Sequence, residues 1–171
     1  MAHGGARNRS GPQPDPNSGR SERAGLTFSV LPASGHDGDP PVFPLLARRV
    51  MRWEHEEKRR YQVLDEETTR LVAERESELW AWAWTTPQAA AWASEPWRWH
   101  TVAMWVRAAV ICESDEATAA DKGAIHRFAD QIGLTPAGLK ENGWQIKAAP
   151  SAPSVGVPGN VVQMPERRLR G

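Results

Sequence analysis

The stretch ELWAWAWTTPQAAAWASEPWRW, residues 78–99, carries six tryptophans, and any fold this chain adopts must find a place for them. The whole chain has nine tryptophans against one tyrosine and three phenylalanines. Indole is large, apolar and carries one N–H donor. It can fill a core, join subunits, stack on bases or sit at a membrane surface. Glu95, Arg98, Pro87 and Pro96 interrupt the region, so it offers no run of about 18 apolar residues to cross a bilayer.

Helical periodicity sorts these alternatives. From Asp65 onward, DEETTRLVAERESELWAWAW has acids in its first turn and strong helix formers after it. It predicts a helix ending near Thr85, before Pro87. At about 100° per residue, Leu71, Val72, Leu79 and Trp82 share one face, and Trp80 and Trp84 fall on the opposite one. The next helix is predicted to be capped by Ser94, with Pro96 just inside its start. Trp97, Trp99, Val102, Trp105, Val106, Ala109 and Val110 cover nearly all of it, leaving a narrow strip with His100 and Arg107.

A helix apolar all round is a buried one, and a domain of about 100 ordered residues hides two such helices with difficulty. Leu79, Trp80, Trp82, Trp84, Trp97, Trp99 and Trp105 are therefore expected to be shared between a core and a face packed on a second copy of the chain. A base-stacking platform would interleave exposed aromatics with Lys and Arg. Here alanines fill the gaps.

Further along, Ser114 is a predicted cap for a helix from Asp115 to about Ile132. Gly133 supplies its left-handed stop, and Leu134 folds back on Phe128 or Ala129. Thr135 caps a last short helix with Pro136 at its first position. Residues 47–64 suit two short strands around an acidic turn at 54–57, or equally a charged helix. The expected fold class is all-α: a helical bundle with a short β-hairpin at about 49–64 as the one alternative element. The division is a disordered tail over 1–30, a proline-rich extended arm over 31–46 suited to a neighbour's surface, a helical domain over 47–147 and a disordered tail over 148–171. The first twenty residues lack the apolar segment of a signal peptide.

Charge and motifs restrict the chemistry. Lys and Arg total 21 and Asp and Glu total 21, so any anion site must be local rather than a property of the whole surface. Cys112 stands alone and reads as a buried apolar thiol in a reducing setting. His55-Glu56 begins like a zinc-protease helix, but Arg59 stands where the second ligand belongs. The scattered histidines predict no metal, the lack of a phosphate-binding loop predicts no ATPase, and no cofactor or catalytic residue is expected.

Two basic clusters remain, Arg48-Arg49-Arg52 and Lys58-Arg59-Arg60, close enough in sequence to form one phosphate-contacting patch. Arg167, Arg168 and Arg170 suit looser tethering. A second candidate is IHRFADQIGLTPAGLKENGW at 125–144, spaced like a helix-turn-helix. Gly138, Gly143 and Asn142 weaken its second helix, and only Lys140 and Lys147 offer charge there. On that reading residues 117–147 serve a dimeric transcriptional regulator.

Three segments together resemble the small terminase subunits of tailed phages, especially those of actinobacterial phages. They are RESELWAWAWTTPQAAAW at 75–92, RFADQIGLTPAGL at 127–139 and LPASGHDGDPPVFPL at 31–45. The resemblance implies a non-enzymatic adaptor that forms a homo-oligomeric ring and binds viral double-stranded DNA. It would present that DNA to the large terminase subunit, whose ATPase and nuclease package it into the procapsid. It further implies action in the host cell cytoplasm during phage assembly, with no membrane partner. The family's usual N-terminal helix-turn-helix is not visible in 1–64.

Overall fold

The structure, a computed structural model, describes residues 28–147. The disorder expected over 1–27 and 148–171 and the arginines at 167, 168 and 170 lie outside the described residues. The described residues are mostly helical, with four short strands. Strand β1 spans Ser29–Leu31, β2 Met51–Glu56 and β3 Arg59–Leu64. Five helices follow: α1 Glu66–Ala83, α2 Ala89–Ser94, α3 Trp99–Cys112, α4 Ala119–Gln131 and α5 Pro136–Glu141. A 3₁₀ turn, Pro96–Arg98, leads into α3, and β4, Trp144–Ile146, ends the fold.

All-α is thus corrected to mostly helical with two small sheets. Strand β1 pairs in parallel with β4, Ser29 opposite Trp144 and Leu31 opposite Ile146. Ser29 and Val30 therefore belong to a strand and not to a disordered tail. Strands β2 and β3 form an antiparallel hairpin, so the charged-helix alternative for 47–64 does not hold.

Helix α1 starts where its acids indicate, with the Asp65 carboxylate accepting from the Thr68 N–H at 2.9 Å. It ends at Ala83, two residues short of Thr85. Two predicted caps move. Ser94 is the last residue of α2, and α3 begins only after the 3₁₀ turn. Ser114 does not cap α4, its hydroxyl donating instead to the Ile111 carbonyl at 2.8 Å; Thr118 caps α4, because Asp121 three residues on completes a reciprocal capping box. The end of α4 is as expected. Gly133 takes φ +79°, its N–H bonds the Asp130 carbonyl, and the Leu134 N–H reaches back to Ala129 at 2.9 Å. Thr135 caps α5, accepting from Gly138 at 2.9 Å.

The core is a nest of indoles. Trp84 meets Trp80, Trp92 and Trp99 edge to face, with ring centroids 5.6–6.1 Å apart. Val102, Val106 and Ile132 complete it. The Trp92 indole N–H donates to the Ile132 carbonyl at 3.0 Å, and the Gln88 amide to the Gly133 carbonyl, so buried polar groups on α2 and just ahead of it close the end of α4.

The proline-rich arm makes contacts with its own body. Trp80 donates to the Pro41 carbonyl at 2.7 Å and Phe43 stands edge-on to the Trp80 ring. The arm passes close under the end of α1, where a Cβ on Gly35 (φ +88°) would strike the Thr85 carbonyl. Cys112 is half-buried rather than buried.

Candidate nucleic-acid interface

The hairpin is the most solvent-exposed element of the described fold. Alternation along β2 and β3 sets its two faces. Met51, Trp53 and His55 lie on one with Arg60, Gln62 and Leu64; Arg52, Glu54 and Glu56 lie on the other with Arg59, Tyr61 and Val63. Met51, Trp53 and Tyr61 are 41%, 51% and 40% exposed, so neither face is covered by another described element. The base is tied down: the Asp65 N–H bonds the Val50 carbonyl at 2.9 Å, and the Val50 N–H bonds Thr69 Oγ1 at 3.0 Å. The turn is Glu57-Lys58, two residues later than the expected acidic turn, with Glu57 in the left-handed region at φ 51°.

The predicted cations do not form one patch. Arg52 and Arg59 share a face but stand four positions apart, about 13 Å along the ribbon. Arg52 is paired with Glu54 at 2.7 Å, and Tyr61 donates to the other Glu54 oxygen at 3.4 Å. Arg59 lies opposite Glu56. Arg60 is on the other face, its guanidinium 4.0 Å from the centre of the Trp53 ring. Lys58 is exposed in the turn and Arg49 is exposed ahead of β2. Arg48 is half-buried and acts on Asp121 at the start of α4.

Two carboxylates near these cations are held below the ordinary aspartate range. Asp65 is lowered by the hydrogen bonds from Thr68, with Arg52 adding a smaller attraction. Asp121 is lowered by its hydrogen bonds with Thr118, with Arg48 adding to it. Arg52 also shares a surface hollow with Asp65, Glu66 and Glu67. Trp53, His55 and Gln62 were not among the expected site residues. The period-two pattern carries their signal, but only once the register is known.

The predicted core and interface residues divide as well. Trp80, Trp84 and Trp105 are buried, and Leu79 and Trp99 are half-buried against the core. Trp82 and Trp97 remain 52% and 69% exposed. The helix-turn-helix candidate is present as α4, turn and α5, but α5 has six residues and its Gly138 is pressed on the Asp130 backbone. Lys140 and Lys147 are exposed. Among the described residues no helix is long and apolar enough to cross a membrane.

Compared with known proteins, the chain matches no family model, no curated protein and no solved structure.

Proposed function

We propose that this chain is a non-catalytic DNA-packaging adaptor of the small terminase type. Copies associate through the tryptophan-bearing body, hold viral double-stranded DNA with the hairpin region, and hand it to a large subunit with ATPase and nuclease activity. One observation carries the reading: exposed tryptophans and a local excess of cations lie on different elements of the fold. Trp82 on α1 and Trp97 before α3 stay exposed although the body has buried Trp80, Trp84 and Trp92. The segment 47–64 has six cations, Arg48, Arg49, Arg52, Lys58, Arg59 and Arg60, against the three acids Glu54, Glu56 and Glu57. An apolar body and a basic extension suit self-association and phosphate contact respectively.

The mass of the full chain in solution tests this at micromolar concentration. A closed oligomer larger than a dimer is expected, and Trp82→Ser with Trp97→Ser should lower its mass while leaving the helical signal intact. A monomer would overturn the ring, and a DNA-binding dimer insensitive to both changes would favour the regulator reading of 117–147.

A further inference from the structure

The two faces of the hairpin differ in a way that the count of its charges hides. The Arg52 face carries two cations, Arg52 and Arg59, and two acids, Glu54 and Glu56. Arg52 is committed to Glu54, and Arg59 stands opposite Glu56 in the register. At the hairpin's base, Arg52 and Leu64, one from each face, line a hollow with Asp65, Glu66 and Glu67. The Trp53 face carries Met51, Trp53, His55, Arg60, Gln62 and Leu64, and no acid at all. Arg60 there is paired with an aromatic ring rather than a carboxylate, which orients its guanidinium without neutralising it.

We propose that the Trp53 face is a groove-reading surface for double-stranded DNA, with Arg60, Gln62 and His55 as its polar contacts. The proposal rests on the DNA-binding reading above and names the side of the ribbon that does the work. A two-stranded ribbon fits the major groove, which is about 12 Å wide. Six residues per strand span roughly 17 Å, near five base pairs at about 3.4 Å each. Arginine and glutamine are the side chains that form paired hydrogen bonds with guanine and adenine edges in that groove. Met51 and Trp53 give apolar contact for thymine methyl groups. The opposite face would bring Glu54 and Glu56 against phosphates, so charge complementarity selects the acid-free side.

Two neighbouring arginines make the test internal. Arg59→Gln and Arg60→Gln each remove one positive charge, from adjacent positions on opposite faces. Binding of the full chain to a 5′-labelled duplex of about 20 base pairs, read by fluorescence anisotropy at two salt concentrations, separates them. Arg60→Gln is expected to weaken binding about tenfold or more, and Arg59→Gln less than about threefold. Trp53→Phe, which keeps an apolar ring in the hairpin, should fall between them, with an unchanged urea midpoint as the folding control. Equal losses from the two arginine changes, with wild-type binding intact, overturn the face assignment alone. Tighter wild-type binding to the corresponding single strand overturns groove reading. No wild-type binding to either at micromolar concentration and low salt overturns the DNA reading beneath it.

Discussion

Glu76 on α1 and Arg107 on α3, 31 residues apart, meet as a two-pronged ion pair in the seam between their helices. Arg107 Nε donates to one Glu76 oxygen at 2.7 Å and Nη2 to the other at 2.9 Å. Nη2 also donates to the Leu46 carbonyl at 2.6 Å, which fastens the end of the arm to the same pair. The glutamate side chain is 3% exposed and the arginine 19%.

This asymmetry orders two substitutions. Arg107→Ala leaves a buried carboxylate without its partner and should cost about 3–5 kcal/mol in urea unfolding. Glu76→Ala leaves a guanidinium that keeps some water and the Leu46 carbonyl, and should cost less. Equal losses would mean that burial does not govern the pair.

Acid should weaken the two capped helices. Asp65 and Asp121 have folded-state values below the ordinary 3.8, each because it accepts hydrogen bonds at a helix start. A lowered carboxylate contributes stability that is complete above the unfolded value and disappears as pH falls through the folded one. The deficit of Asp65→Ala and Asp121→Ala relative to wild type is therefore full above about pH 5 and shrinks toward pH 2. Thermal midpoints across that range check it, and a constant deficit would contradict it.

Gly133→Ala should be among the costliest glycine changes. At φ +79° an alanine pays about 1–2 kcal/mol for the left-handed backbone. Its Cβ would also come 2.6 Å from the Trp144 ring. Trp144 anchors β4, so the loss should extend to hydrogen-exchange protection at the Leu31 and Gln145 amides. Protection unchanged there would show that the ring gives way freely.

Two buried indoles distinguish packing from hydrogen bonding. Trp92→Phe strands the Ile132 carbonyl and should cost about 1–3 kcal/mol beyond the lost ring volume. Trp84 Nε1 has no hydrogen-bond partner among the described residues, so Trp84→Phe carries the volume cost alone. A larger loss from Trp84→Phe in urea unfolding would reverse this order.

Local chemistry made several elements legible in the sequence. Asp65 with Glu66 and Glu67, Gly133 with Leu134, and Thr135 with Pro136 each place an element end through contacts within a few residues. Thr118 defeated Ser114 because the capping box needs Asp121 at the right spacing, a competition between two plausible local answers. The pairing of β1 with β4 could not be read, since it joins three-residue strands more than a hundred positions apart. The arm's contact with α1 was illegible for a related reason: the Pro41 carbonyl that satisfies Trp80 is 39 residues away. For α1, the helical wheel separated Trp80 and Trp84 from Trp82 correctly. Which side faced inward depended on Trp92 and Trp99, beyond the reach of a wheel. The cations of 48–60 were legible by type, but their division between two faces follows from register alone.

The parallel ladder of β1 and β4 has a topological consequence. Lys147 donates its N–H to Leu31, and Ser29 donates to Gly143, so the described chain enters and leaves the body on neighbouring strands, at opposite ends of one short ladder. A linker covering a return of about 13 Å would join Lys147 to Phe28 and turn the body into a covalent loop. The exposed Glu57-Lys58 turn is the natural place to cut that loop open again. Such a permuted chain would start and finish at the tip of the ribbon, leaving the indole nest with no free ends.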